Sequence, residues 1–191
     1  MQNSRDLRQQ RGLSDFDERH KLAAAIVIEP ALPRRTGGLI STIMHEWRLS
    51  AVFTGRSGRP FSVFASANNG FVGPFANALP DRLGNGRLKN PSIDRWFDGS
   101  LFLVPNPPRA GSSGRNIVAG PALPNLDVSA ARTIMLSEGR RLQLRWEVFN
   151  VTNTPQFALP ARDASNPDSM GRITELAGDP RTMQLAIKIQ F

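Results

Sequence analysis

The side chains that could take part in acid–base or nucleophilic chemistry are few and scattered. The chain of 191 residues has two histidines, His20 and His45, which lie far apart in sequence. Serine and aspartate are plentiful, so a Ser-His-Asp triad is formally possible, but no nucleophile-elbow motif accompanies either histidine. We therefore expect no catalytic residues and no enzymatic activity.

Two short motifs could bind an ion. Asp15, Asp17 and Glu18 offer carboxylates, but their spacing lacks the glycine and the terminal glutamate of a calcium loop, which favours a solvated loop. Segment 55–59 is rich in glycine and arginine like a phosphate cradle, but Pro60 follows it and no helix begins there, which favours a strand bend or bulge. The chain has no cysteine, which excludes thiolate metal sites. We expect no metal and no cofactor.

The charge balance raises the possibility of a nucleic-acid partner. The formal net charge is +8 and the pI is about 11.4. The arginines that carry this charge are scattered, with only the pairs Arg34-Arg35 and Arg140-Arg141, and no basic helix or interleaved aromatic array accompanies them. We therefore expect no nucleic-acid partner.

The C-terminal segment alternates strictly between apolar and polar residues. Its apolar positions are Leu185, Ile187, Ile189 and Phe191. Its polar positions are Gln184, Lys188 and Gln190. A strand with two unlike faces and a terminal aromatic residue is typical of a transmembrane β-barrel, although an edge strand of a soluble sandwich shows the same alternation.

The same alternation recurs upstream, and a compact run at 21–29 is rich in alanine, isoleucine and valine, which favours a strand over a short helix. Together these segments predict five strands. They span residues 21–29, 46–66, 125–136, 141–151 and 182–191, with the second kinked or bulged at its glycines. Two long loops, 67–124 and 152–181, separate the strands, and the first is too long for an ordinary connection within a compact domain. Trp96 and Phe97 indicate that part of this loop packs locally.

The connections between these strands alternate between shorter and very long ones, as the turns and loops of outer-membrane barrels do. If Phe191 lies on the periplasmic side, the turn at 137–140 also lies there and both long loops lie outside. Trp47, next to a periplasmic connection, is then predicted in the aromatic girdle. The predicted fold is an all-β, antiparallel, up-and-down transmembrane barrel segment of about five strands.

A second interpretation stays open at this point. The same strands could form a soluble all-β binding module that binds carbohydrate through the aromatic loop around Trp96 and Phe97. Arg145 and Glu147 lie two positions apart on the polar face of one strand and could form an ion pair in either fold. This pair does not distinguish the two interpretations.

Several stretches carry a resemblance to a known family. They are 15–22, 47–50 with 57–61, 114–117 with 120–121 and 125–129, and 147–153, followed by Phe157, 171–174 and 178–181. In this order and spacing they resemble the C-terminal end of the barrel in Oar-like TonB-dependent receptors. Those are large outer-membrane proteins that often carry a carboxypeptidase-regulatory-like domain.

The resemblance implies an outer-membrane location and a role in TonB-energised uptake or surface binding of large nutrients. It also implies a barrel-assembly signal in the last strand, formed by Leu185, Ile187, Ile189 and Phe191. The implied partners are outer-membrane lipid, the barrel-assembly machinery, the remainder of the barrel and plug, and TonB only through that plug. Receptors of this kind close with about 22 strands. Five strands cannot close, so we expect a fragment, truncated frame or degenerate copy that does not transport alone.

Overall fold

The computed structural model describes residue 8 and residues 11–30, 46–68, 78–137 and 139–191. Its contacts divide the chain into two compact units, each built from segments that are distant in sequence. The sheet unit comprises His20–Arg56, Pro124–Pro155 and Gly178–Phe191. The loop unit comprises Met1–Arg19, Ser57–Leu123 and Gln156–Ala177.

The described residues form an all-β fold, as predicted. Its strands are β1 (Lys21–Ile28), β2 (Trp47–Arg56), β3 (Pro60–Phe61), β4 (Asp81–Arg82), β5 (Phe102–Leu103), β6 (Val118–Ala119), β7 (Leu123–Ser137), β8 (Arg140–Phe149) and β9 (Thr182–Gln190). Short 3-10 turns form at Ser66–Asn68 and Gly99–Leu101. Within the described ranges there is no α-helix, and no helix there is long and apolar enough to cross a membrane.

The sheet unit contains one five-stranded sheet in the order β1-β2-β7-β8-β9. The pairs β1–β2, β7–β8 and β8–β9 are antiparallel. Four predicted strands, 21–29, 125–136, 141–151 and 182–191, correspond closely to β1, β7, β8 and β9. The turn between β7 and β8 contains Gly139 at φ 79°, a left-handed conformation that glycine adopts without strain.

The predicted strand 46–66 is wrong in its second half. β2 ends at Arg56, and Pro60–Phe61 forms β3, which pairs with β6 inside the loop unit. Proline cannot donate to a sheet ladder, and the ring of Phe61, 1% exposed, is buried in the loop-unit core. Gly58 lies so close to the backbone of Gly120 that a Cβ atom at position 58 would collide with the carbonyl oxygen. Because of these contacts β2 ends at Arg56, and the predicted bulged continuation of the strand does not form.

The five-stranded sheet is open. Among the described strands, β1 and β9 each have a single neighbour, so each has one edge whose backbone groups no described strand pairs. The prediction of an antiparallel sheet that does not close into a barrel is confirmed.

The loop unit has a hydrophobic core of its own. The buried core residues are Phe61, Val63, Ala65, Phe97, Phe102, Val118, Ala164 and Met170. The rings of Phe61 and Phe102 each meet Phe97 edge to face, at centroid distances of 5.7 and 5.8 Å, the geometry that aromatic pairs favour. Because Phe97 and Met170 come from different predicted loops, 67–124 and 152–181 contribute to one folded unit.

Candidate functional site

One face of the five-stranded sheet is apolar. The strand registers, together with the Ser50–Ser129 contact, place on it Ile26, Ile28, Leu49, Ala51, Val128, Ala130, Leu142, Leu144, Trp146, Leu185, Ile187 and Ile189. Leu185 is 81% exposed and Ile187 is 72% exposed. In a water-soluble domain such a face is buried against a second layer. A contiguous exposed apolar surface instead marks contact with a membrane or a partner.

The opposite face of the same sheet is mostly polar over β7, β8 and β9, where it carries Ser129, Gln143, Arg145, Glu147, Gln184, Lys188 and Gln190. On β1 and β2 the same face carries Val27 and Val52 beside Ser50. The hydroxyls of Ser50 and Ser129 hydrogen-bond at 2.7 Å. The Arg145 guanidinium lies 3.9 Å from the Glu147 carboxylate, one of the pairings that the sequence allowed. Over β7, β8 and β9 the sheet therefore has one apolar and one polar face.

The four residues predicted as an assembly signal lie at the C-terminal edge of this sheet. Leu185, Ile187 and Ile189 share the apolar face of β9, and Phe191 directly follows that strand with 92% of its surface exposed. No residue of the described chain buries these side chains. Their recognition by an assembly machinery stays a prediction.

Trp47 and Arg132 meet on the apolar face of the sheet. Trp47 is the first residue of β2, and the guanidinium carbon of Arg132 lies 5.9 Å from its ring centroid. This is a cation–π distance. Arg132 pairs with Leu144 in the register of β7 and β8, so a cation lies among apolar residues. The girdle role of Trp47 stays a prediction.

The acidic motif near the N-terminus docks within the loop unit. The amide of Asn116 donates to the Asp15 carboxylate at 2.5 Å, and Arg115 forms an ion pair with Asp15 at 3.3 Å. Glu18 pairs with Arg59 at 2.9 Å. The Asn116 hydrogen bond is the main cause that lowers the pKa of Asp15. In the described part of the chain no three carboxylate or histidine groups converge on a metal position. The motif lies in a largely exposed loop before β1, as predicted, and these bonds also attach it to the rest of the loop unit.

Two further carboxylates hold the loop unit together. Arg109 donates to both oxygens of Asp81, at 2.9 and 2.6 Å, and this interaction lowers the pKa of Asp81. Burial alone would raise the pKa of Asp163, but hydrogen bonds from Ser66 and Ser165 outweigh it, so the pKa is lowered. Both carboxylates are therefore charged and bonded at neutral pH.

A groove of about 510 Å³ opens in the loop unit. Its floor is formed by Phe97, Phe102 and Met170, and its rim carries Asp94, Arg95, Asp98, Asp168 and Arg172. Arg95 and Asp98 form an ion pair at 2.8 Å. An apolar floor with a few charged groups, in this range of volume, is typical of small-molecule sites.

The aromatic platform predicted around Trp96 and Phe97 is wrong. Phe97 is 1% exposed, and Trp96 packs against the loop-unit core while its indole N–H donates to the carbonyl of Ala119 at 2.9 Å. A ring needs a free face to stack on a sugar; Phe97 has none, and Trp96 is partly buried against the core. The aromatic pair is structural.

The remaining candidates form no site in the described residues. His20 directly precedes β1, and His45 lies outside the described residues. Segment 55–59 finishes β2 and leads into β3 without a helix, so it is a strand end and not a phosphate cradle. Sequence reasoning missed the groove because its floor and rim come from separate segments, and only the clustered phenylalanines hinted at a local core.

The comparisons with known proteins give one match. Residues 1–184 match a family model described as the outer membrane beta barrel domain. No curated protein and no solved structure matches the chain. The matched residues include β1, β2, β7 and β8 in full, together with the segments that form the loop unit.

Proposed function

The chain belongs to the outer membrane beta barrel domain family and is located in the outer membrane, and on this premise we propose that it is part of the C-terminal barrel of a TonB-dependent receptor of the Oar-like type. In this proposal the five-stranded sheet is a sector of the barrel wall. The apolar face meets lipid and the polar face lines the lumen. The loop unit binds a nutrient at the cell surface.

The two unlike faces of the sheet support the barrel-wall role. Transmembrane barrels alternate lipid-facing apolar residues with lumen-facing polar ones. Leu185 and Ile187 lie on one face, and Gln184 and Lys188 lie on the other. The open edges of β1 and β9 support the proposal that further strands of a larger barrel pair with them. Unpaired backbone groups at these edges would be costly in lipid.

The groove of the loop unit is the observation that carries the binding role. Its apolar floor rests on a packed core, so the site is preformed. The long connections before β7 and before β9 supply this unit, whereas the β7–β8 connection is a short turn. Long extracellular loops and short periplasmic turns are the pattern of outer-membrane barrels.

The partners of the proposed receptor follow from this role. Outer-membrane lipid surrounds the apolar face, the barrel-assembly machinery inserts the strands, and the remaining barrel closes on β1 and β9. TonB acts only through a plug, which no described residue supplies. In this proposal the chain therefore binds ligand through its loop unit but does not transport alone.

The ligand groove can be tested with a matched pair of substitutions. Leu103 lines the groove at 48% exposure, and Leu83 lies elsewhere in the loop unit at 67% exposure. A small molecule that copurifies from the outer-membrane fraction with the wild type and Leu83→Trp, but not with Leu103→Trp, supports the proposal. Equal retention of the molecule by all three proteins contradicts ligand binding in the groove.

The receptor class needs a second readout. Accumulation of that molecule by cells that make the complete receptor is measured with and without TonB. Loss of accumulation in the absence of TonB supports the assignment. Uptake that does not depend on TonB contradicts it.

A further inference from the structure

The groove of about 510 Å³ in the loop unit is built by two segments that are distant in sequence. Its lining comes from 94–104, in the long connection before β7, and from 164–172, in the long connection before β9. A backbone hydrogen bond of 2.8 Å from the Trp96 N–H to the Gly171 carbonyl joins the two segments. The backbone that carries the rim is therefore part of the packed unit.

The rim of this groove carries charges of both signs. Arg95 and Asp98 form an ion pair with each other at 2.8 Å. Asp94, Asp168 and Arg172 line the same groove, and none of the three makes an ion pair or a side-chain hydrogen bond with a described residue. The groove thus offers two carboxylates and one guanidinium to a ligand that lies on its apolar floor.

A main-chain acceptor belongs to the same groove. The Leu83 N–H donates to the Leu101 carbonyl at 2.8 Å, so the backbone groups of Phe102, the next residue, point away from β4. The Phe102 N–H bonds to the Gly99 carbonyl, and no described donor bonds the Phe102 carbonyl. Phe102 lines the groove. An unpaired carbonyl at a strand edge is a group with which an extended peptide pairs.

We propose that the groove binds a short apolar peptide in its zwitterionic form, an inference that rests on the binding role proposed above for the same groove. The side chains of the peptide lie on the apolar floor, and one of its N–H groups donates to the Phe102 carbonyl. Its terminal carboxylate meets the guanidinium of Arg172, and its terminal ammonium meets the carboxylates of Asp94 and Asp168. Hydrogen bonds between charged groups of this kind are the strong ones.

Other ligand classes use only part of this set of groups. A fatty acid has the apolar chain and the carboxylate but lacks the ammonium. A neutral sugar has neither charge and places hydroxyls on an apolar floor, where they find no partner. A peptide with apolar side chains supplies both charges, the apolar surface and the N–H donor in one molecule.

The test uses the full chain, purified from the outer-membrane fraction in a neutral detergent, and isothermal titration calorimetry with trileucine as the probe. N-acetyl-trileucine lacks the ammonium, and trileucine amide lacks the carboxylate. Triserine keeps both charges and the main chain but lacks the apolar side chains. Each comparison ligand therefore removes one element of the proposed recognition.

Two variants locate the two termini of the peptide. Arg172→Gln removes the guanidinium, and the double variant Asp94→Asn with Asp168→Asn removes the carboxylates. The matched controls are Arg87→Gln and Glu175→Gln, at exposed positions of the loop unit that do not line the groove.

We expect trileucine to bind the wild type and both controls, and to bind Arg172→Gln and the double variant about tenfold more weakly, as the loss of a charge-assisted hydrogen bond implies. Trileucine amide should lose nothing further in Arg172→Gln, and N-acetyl-trileucine should lose nothing further in the double variant. Triserine should not bind. Full affinity of Arg172→Gln for trileucine, or of the wild type for either capped peptide, overturns the proposal.

Leu103 also lines the groove, and Leu103→Trp separates this inference from the proposed binding role. Suppose that a copurified molecule is retained by the wild type and lost from Leu103→Trp, while the wild type does not bind trileucine. That result overturns the peptide and leaves the groove as the site of another ligand. Equal retention of the copurified molecule by Leu103→Trp overturns both the peptide and the binding role.

Discussion

The hydroxyls of Ser50 and Ser129 hydrogen-bond at 2.7 Å although 79 positions separate them in the chain. The bond joins β2 to β7, two neighbouring strands of the sheet that are separated in sequence by segment Ser57–Leu123 of the loop unit. The β1–β2 hairpin and the β7–β8–β9 meander thereby become one wall. Their union is what gives the apolar face its continuous width.

The serine pair should stabilise the junction measurably. We expect Ser50→Ala and Ser129→Ala each to lower the free energy of unfolding by about 1 kcal/mol, the usual net value of one hydrogen bond. The double variant should lose less than the sum of the two, because the second substitution removes no further bond. Urea titrations in detergent micelles measure this coupling. Strict additivity would show that the two hydroxyls do not cooperate.

Acid should weaken the loop unit. The pKa values of Asp15, Asp81, Asp98 and Asp163 are all lowered from the ordinary value of 3.8, chiefly by hydrogen bonds from their partners, against which burial works. A lowered folded pKa contributes stability that is present above the unfolded pKa and is lost as pH falls through the folded value. The loop unit should therefore be unchanged from pH 7 to 5 and lose stability below about 3.8.

Trp96 can report on this transition. The chain has three tryptophans, so substituting Trp47 and Trp146 by phenylalanine leaves Trp96 as the only tryptophan. We expect a red shift in its emission below about pH 3.8. Asp81→Asn should reduce both the stability at pH 7 and its pH dependence. A transition centred near pH 6 would indicate titration of a histidine and contradict the assignment of the acid transition to the aspartates.

Gly58 should resist substitution. A Cβ atom there would collide with the Gly120 carbonyl oxygen, so Gly58→Ala should destabilise the loop unit by about 1–3 kcal/mol, as overpacking does. The control is Gly139→Asn, where no atom lies within 4 Å and asparagine tolerates the left-handed conformation. Thermal unfolding compares the two. Equal melting temperatures would mean that the backbone around Gly120 adapts.

Phe191 should matter for assembly and not for stability. Its side chain is 92% exposed, so Phe191→Ala should leave the unfolding free energy of the purified chain unchanged. The same variant should lower the amount recovered in the outer membrane, whereas Gln190→Ala should not. Quantitative blotting of membrane fractions measures the difference. Normal recovery of Phe191→Ala would exclude the aromatic residue from the assembly signal.

Strands with period-two alternation could be predicted from the sequence, and β7, β8 and β9 lie close to their expected bounds, as does β1, which was predicted from the composition of its apolar run. Alternation is a local signal that reports directly on two unlike faces. The end of β2 could not be predicted in the same way. Phe61 and Val63 resume the alternation beyond the glycines, but the ring of Phe61 packs against Phe97, which comes from a distant segment.

The groove of the loop unit could not be predicted from the sequence, because it also depends on contacts between distant segments. Trp96 and Phe97 were expected to pack locally, and only the alternative of a soluble binding module had their loop bind a carbohydrate. The structure uses them in a core assembled from both long loops, and the groove forms above Phe97 and Phe102. Burial within a loop depends on long-range packing, for which the chain carries no periodic signature.

The central claim is that the sheet crosses the outer membrane with the long loops outside and the β7–β8 turn in the periplasm. Because the chain has no cysteine, single cysteines can report on it without further changes. Leu83→Cys lies in the loop unit and Arg140→Cys begins β8. A membrane-impermeant maleimide should label Leu83→Cys on intact cells and Arg140→Cys only after the outer membrane is permeabilised. Labelling of Arg140→Cys on intact cells, or protection of Leu83→Cys there, would contradict the account.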